Sequence, residues 1–387
     1  MQRGPQTKLC RKAGAREALY VVVLASAFAL MGCATGTSAP AGSTKPSGAA
    51  PTGTGASAAP STSAPAPQSA APAVAPETVK FATSPAVSSA GVFIGIERGY
   101  FRELGLEAEI VGFSGGAEMI SSIAANQVDA ANTDAGSGLL KALARDLPMR
   151  FVADGSRCVP GRCGTALVVR KELWDSGAVR EPRDLRGRTL NPQTTGSTLN
   201  QYMARVIERG GLQESDVNWQ YVTFADTLPA LSNRAVDVSF LLEPFITAGT
   251  TQGISVRWMD TADLFGRTQN TMIVYSPSFA AQRTEAGKRF VVAYLRGIRD
   301  YLDAFDAGKD RDEIVGILTK HSAIKDPTLF DRMGIPGFDA NGELAIDALK
   351  EQQQWWVDRG VLDTAVDLDK IYDRGYLDYA YSVVGRR

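Results

Sequence analysis

From Thr78 onward, short apolar runs alternate with segments of helical periodicity, which is the pattern of an α/β chain. The segment TVKFATS (78–84) predicts a first strand. VFIGIERGYFRELG (92–105) sets Phe93, Ile96, Tyr100 and Leu104 on one helical face and stops at Gly105. LEAEIVGF (106–113) predicts a second strand. GAEMISSIAAN (116–126) predicts another helix, with Asn126 as its left-handed C-terminal residue. Val128-Asp129-Ala130-Ala131 then starts a third strand. The same unit recurs in DTLPALSNRAVDVSFLLEPF (226–245), where Asn233 stands 107 residues after Asn126 and Val236-Asp237 again leads into a strand. The first copy's strand ends at Thr133-Asp134, the second at Glu243-Pro244.

Two similar units predict two similar lobes. In open α/β sheets a ligand lies outside the carboxyl ends of the strands, so both strand ends are expected to face one crevice from opposite sides. TALVVRK (165–171) and NTMIVYS (270–276) flank the second α/β run and predict a pair of hinge strands. This assigns 78–171 and 270–387 to lobe 1, and 172–269 to lobe 2. Residues 277–387 read as helical, with Phe290, Val291, Tyr294, Leu295, Ile298, Tyr301 and Leu302 near helical spacing, and are expected to pack back on lobe 1. Trp355 and Trp356 read as core packing on a helix, because neither follows a strand end.

The N-terminal pattern is different. Arg3, Lys8, Arg11, Lys12 and Arg16 precede an apolar run of 13 residues, Ala18 to Leu30. That falls short of the about 20 residues a membrane-spanning helix needs and fits a secretory leader over 1–32. The run closes in Leu30-Met31-Gly32-Cys33, which resembles the bacterial lipobox, with Met31 departing from its commonest residue. The resemblance implies cleavage behind Gly32 and a lipid on Cys33; an ordinary free cysteine is the alternative. Two or more acyl chains give stable anchoring where one is marginal, so the expected location is the outer face of the cell membrane. In a double-membraned cell, Ala34 would not mark retention at the inner membrane. Residues 34–77 are all Ala, Pro, Gly, Ser or Thr except Lys45, Gln68, Val74 and Glu77. Such a tract cannot bury enough apolar surface to fold, so 33–77 reads as a lipidated cysteine and its linker.

Removal of 1–32 takes away five basic residues and the acidic Glu17, leaving 36 Lys+Arg against 41 Asp+Glu, a net charge near −5. No Lys/Arg cluster survives that points to nucleic acid. Of the four cysteines, Cys10 leaves with the leader and Cys33 carries the lipid. Cys158 and Cys163 remain in CVPGRC, a loop that Pro160 and Gly161 let turn back, and export predicts a disulfide between them. Two free thiols are the alternative; the single histidine, His321, is far away in sequence and argues against zinc.

Catalysis finds little support. His321 has no nucleophile motif around it and reads as a surface residue near a helix end, and the G-x-S-x-G, P-loop and H-E-x-x-H patterns are absent. No metal site and no cofactor are expected. Binding has better candidates, in three strand-to-helix turns rich in Gly, Ser and Thr. Thr195-Gly196-Ser197-Thr198 precede a helix of about a dozen residues; Ser and Thr there either cap the helix for stability alone or, with its free N–H groups and positive dipole end, favour an anion. Ser84, Ser88 and Ser89 follow the first strand, where a serine caps the next helix or faces ligand. Gly115-Gly116 repeat the arrangement after the second strand. Glu243, held extended before Pro244, either caps the following helix or lines the crevice. In the second case, with the anion-prone turn, it suits a zwitterion or a polar heteroaromatic.

The segments GVFIGIERGYFRELGLEAEIV, IAANQVDAANTDAG, DLRGRTLNPQTTGSTLNQYMARVIERGGLQESDVNWQYV and ALSNRAVDVSFLLEPF resemble the nitrate/sulfonate/taurine-binding periplasmic proteins. That family also includes thiamine-precursor pyrimidine binders, and the likeness runs from Thr78 to Phe279. It implies a two-lobed periplasmic-binding-protein fold of type II, the Venus flytrap, closing on a small solute by hinge motion. It also implies an ABC permease and its ATPase as partners of a monomeric receptor. In the family pattern the ligand-facing residues fall on Ser84, Ser88, Ser89, Gly115, Gly116, Thr133, Asp134, Thr195, Gly196, Ser197, Thr198, Glu243 and Phe245. Arg157 and Arg162, beside a cysteine loop not typical of the family, are candidates for the cleft mouth. One relative is a pyrimidine synthase that consumes its own histidine and uses a cysteine-rich motif, which this chain lacks. A lipoprotein that binds a signalling or partner protein is the remaining alternative.

Overall fold

The computed structural model describes residues 76–387, apart from 114, 115 and 146. The leader at 1–32, Cys33, nearly all of the 33–77 linker, and Gly115 lie outside the described residues.

Two five-stranded mixed sheets form the frame. The first contains β1 (Glu77–Thr83), β2 (Leu106–Gly112), β3 (Ala130–Asp134), β4 (Arg150–Cys158) and β10 (Thr268–Tyr275), in the order β2-β1-β3-β10-β4. The second contains β5 (Thr165–Arg170), β6 (Thr189–Asn191), β7 (Asn218–Trp219), β8 (Val238–Leu242) and β9 (Ser255–Asp260), in the order β7-β6-β8-β5-β9. In each, four strands run in one direction and the fourth in the order, β10 or β5, runs antiparallel to both its neighbours. The recurrence around Asn126 and Asn233 is thus a repeat of topology, with β3 and β8 in equivalent places.

The helices that matter for the site are α1 (Ala90–Glu97), α2 (Gly116–Ala124), α3 (Ser137–Leu143), α4 (Thr198–Arg209), α5 (Phe224–Ser232), α6 (Phe245–Thr251), α7 (Thr284–Ala307), α8 (Arg311–His321), α9 (Ile346–Asp358) and α10 (Gly375–Val384). Strand alternation distributes the first sheet over two cores. Phe81, Ala130 and Ile273 face α1 and α7, while Ala82, Ala131 and Val274 face the side covered by α2, α3 and α9. The second sheet does the same, Leu167 and Val169 on one face and Ala166 and Val168 on the other. Trp356 is buried in the first sheet's second core, and Trp355 packs edge-on against it at 4.7 Å.

The predicted hinge pairing is not found. β5 pairs with β8 and β9, and β10 pairs with β3 and β4, so the two strands lie in different sheets. Both are buried on both faces: Ala166 to Val169 and Met272 to Tyr275 expose nothing. A strand with two apolar faces is stable only inside a sheet covered on both sides. The chain therefore crosses between sheets just before β5, at the cysteine loop, and again just before β10. The helix predicted over 92–105 is also broken. Gly99 adopts a left-handed conformation (φ 74°), and a short turn at Tyr100–Glu103 restarts the helix. Asn126, by contrast, is left-handed as read (φ 58°). Among the described residues no helix is long and apolar enough to cross a membrane.

Candidate functional site

The carboxyl ends of β3 and β6 bring the sequence-derived residues together. Strand β3 ends at Asp134, and the turn after β6 leads into α4, whose N-cap Ser197 accepts the Asn200 N–H at 3.2 Å. The exposed N–H groups of that first turn then look for an acceptor. They find it in the opposite sheet: the Thr198 N–H and Oγ1–H donate to Asp134 Oδ2 at 3.3 and 3.2 Å. The turn after β3 answers, as the Ser137 N–H and Oγ–H donate to the Gly196 carbonyl at 2.9 and 3.2 Å. Gly116 abuts the same carboxylate, since a Cβ there would lie 3.3 Å from Asp134 Oδ1. Desolvation raises the Asp134 pKa above the ordinary carboxylate value, against the hydrogen bonds from Thr198.

The turn after β1 joins β3 through Asn132, which donates to the Ser88 carbonyl at 2.8 Å and to Ser89 Oγ at 3.0 Å. Ser89 stands at the N-cap of α1 but its hydroxyl does not cap it; it contacts Thr83 Oγ1 at 2.5 Å. Burial decides this, because Ser89, Thr83 and Asn132 are all enclosed, and the Ser89 hydroxyl finds its partners in the Thr83 hydroxyl and the Asn132 amide N–H. Ser84 is partly exposed beside them, and its carbonyl accepts the Thr83 hydroxyl. Thr133 is buried, and its hydroxyl lacks a partner among the described residues. Thr195 is exposed.

Glu243 and Phe245 are placed differently. The Glu243 carboxylate accepts the Thr247 N–H of α6 at 2.9 Å, the Arg257 guanidinium at 3.0 Å and the Gly334 N–H at 3.0 Å. Its charge is matched within the chain, and the capping reading of this residue is the one the geometry carries. Phe245 stacks on Phe224 at 6.0 Å. Arg157 does not reach a cleft mouth: it is buried against Asp154 and Asp339 and bonds the Glu343 carbonyl. Arg162 bonds Asp306 and the Phe305 carbonyl. It lines a cavity of ≈ 510 Å³ with Arg311, Asp331 and Met333, away from the crevice turns. Cys158 and Cys163 form a disulfide on the first crossing between the sheets. His321 bonds Glu97 at 2.7 Å and stacks on Phe93 at 5.1 Å, so it is more enclosed than a plain surface residue.

Sequence reasoning missed a buried relay between the sheets. Gln201 donates to the Gln352 carbonyl at 2.9 Å, and Gln352 donates to Tyr202 Oη at 3.0 Å and to the Gln269 carbonyl at 3.2 Å. Gln269 continues to Asp154 at 2.5 Å. This ties α9 to α4 and so sets where the α4 N-terminus stands. Burial pushes the Tyr202 hydroxyl up to about 12. Nothing in the one-dimensional pattern marks these glutamines, whose partners lie up to 151 residues away. Gly136 and Ser137 did carry a signal, as a Gly-Ser step directly after a strand end.

An NMT1/THI5-like family model matches residues 86–305. No curated protein matches the chain. Among solved structures, the chain is similar to the periplasmic nitrate-binding protein NrtA from Synechocystis PCC 6803, with 14% identity over 80% of this chain and 89% of that one, at a TM-score of 0.65. It is similar to the alkanesulfonate-binding protein SsuA from Xanthomonas axonopodis pv. citri bound to MOPS, with 18% identity over 78% and 100% and a TM-score of 0.62. It is also similar to the desulfurization enzyme DSZB, with 16% identity over 79% and 99% and a TM-score of 0.58. At these identities the likeness is one of fold.

Proposed function

The chain belongs to the NMT1/THI5-like family, and from that membership we propose that it is an extracytoplasmic solute-binding lipoprotein of an ABC importer. It captures a small polar or anionic organic solute of the sulfonate, taurine, nitrate or pyrimidine kind between its lobes and hands it to a permease. One lobe is built on the first sheet with α7 to α10, the other on the second sheet. The observation that carries the reading is the meeting of two strand-end turns from opposite sheets, Asp134–Ser137 and Gly196–Thr198. Two equivalent sheet edges facing each other make a clamp whose jaws are helix ends. The fold shared with nitrate- and alkanesulfonate-binding proteins supports it.

Cys33 anchors the receptor and the linker gives it reach on the order of 35–40 Å. Against an enzyme of the same fold stands the state of the reactive side chains. Both cysteines among the described residues are joined to each other, and His321 is held by Glu97. A melting screen against sulfonates, taurine, nitrate and aminopyrimidines tests the reading. A solute at a hundred times its Kd adds about 2.7 kcal/mol, which raises Tm by roughly 3–5 °C at this size. If no class shifts Tm, the receptor reading fails. Substituting Cys33 with serine is expected to move the protein from the membrane to the soluble fraction.

A further inference from the structure

The contact across the crevice is reciprocal. Asp134 from the first sheet caps α4 of the second, and the Gly196 carbonyl from the second takes the Ser137 N–H at the start of α3. Both turns are shaped for it. A Cβ on Gly136 would lie 2.8 Å from Asp134 Oδ2 and 2.9 Å from the Gly196 carbonyl oxygen, and one on Gly196 would lie 2.5 Å from Ser137 Oγ. Side chains at these positions would hold the turns apart.

The first turn of a twelve-residue helix such as α4 is a ready seat for an anion. Here the chain supplies its own carboxylate to that seat. Tethered to β3, this carboxylate competes at the high effective concentration of an intramolecular group, and it repels a second negative charge brought beside it. In the two preceding residues, Asn132 Oδ1, an acceptor lying against Gly155, and the Thr133 hydroxyl, which can accept or donate, are buried with no partner among the described residues, exposed by only 5% and 3%. We propose that Asp134 is a built-in anion that bars simple anions from the α4 turn and selects solutes presenting an N–H or cationic group to it. This rests on the receptor reading and narrows its solute class, against nitrate and small sulfonates and toward amine- or amide-bearing molecules.

The test uses the full chain and its D134N and D134A variants, with nitrate and methanesulfonate as titrants in calorimetry. The wild type is expected to give no binding heat at 20 mM of either anion, and D134N to bind at least one of them ten-fold or more tighter. Hydrogen exchange reads the contact itself. Amides of Ser137 and Thr198 are expected to be protected in the wild type and to exchange at least ten-fold faster in D134A, while α7 stays unchanged as the control for folding. The proposal is overturned if the wild type binds either anion as tightly as D134N, if neither anion binds D134N, or if D134A leaves Thr198 exchange unaltered. None of these outcomes depends on the melting screen, which judges the receptor reading alone.

Discussion

Glu243 offers the sharpest separation between a ligand-facing carboxylate and a structural one. Its side chain is 2% exposed and Arg257's is 29%, so the pair is enclosed on one side only. Three donors converge on it: Thr247 N–H, Arg257 and Gly334 N–H. In Glu243→Gln the amide oxygen still serves two of them, but the amide nitrogen faces the third and the charge is gone. Losing one enclosed hydrogen bond to a charged group costs about 2–3 kcal/mol, which lowers Tm by roughly 3–5 °C at this size. Scanning calorimetry at neutral pH measures it. A double-mutant cycle with Arg257→Met is expected to return a coupling of about 1–3 kcal/mol. A carboxylate held ready for a ligand behaves in the opposite way, since neutralising a functional charge leaves stability unchanged or raises it. A Tm within 1 °C of wild type, with no coupling to Arg257, would refute the structural role.

Gly136→Ala places a methyl group against the Asp134 carboxylate and the Gly196 backbone; it is expected to cost about 1–3 kcal/mol by overpacking and to speed exchange of the Ser137 and Thr198 amides. Reduction of Cys158–Cys163, which closes a loop of sequence separation 5, is expected to remove about 2 kcal/mol by loop entropy, read as a fall in Tm with and without dithiothreitol. Hydrogen bonds from Lys320 and His321 lower the Glu97 pKa below 4.5 in the fold. Its contribution is therefore present above the unfolded value and lost as pH falls through the folded one. Glu97→Gln should thus lower Tm at pH 7, and the difference from wild type should shrink below pH 4 in a pH series of melts.

Several features were legible in the residues alone, each with a local cause. Alternation of apolar and polar positions marked the strands, because a pleated strand sends neighbouring side chains to opposite faces. Asn126 was legible as a left-handed helix end, since few residues other than glycine take that conformation. Ser197 was legible as a cap because its role is met three residues along the chain. The repeat about Asn126 and Asn233 foretold the repeated sheet order, and CVPGRC foretold its own disulfide.

What depended on distant partners was not legible. The strands 165–171 and 270–276 were known to be apolar, but an apolar run does not name its neighbours, and the two entered different sheets. Glu243 had two readings until Arg257 and Gly334 arrived beside it. Asp134 was recognised as crevice-facing, yet only the fold brought it 64 residues across to Thr198, where it fills the very helix end that the sequence offered to an anion. Composition and periodicity, then, settled the elements and their class, since those follow from forces acting within a few residues. The allocation of charge across the crevice was left to tertiary structure, because a carboxylate's partner is whichever donor the folded chain sets against it.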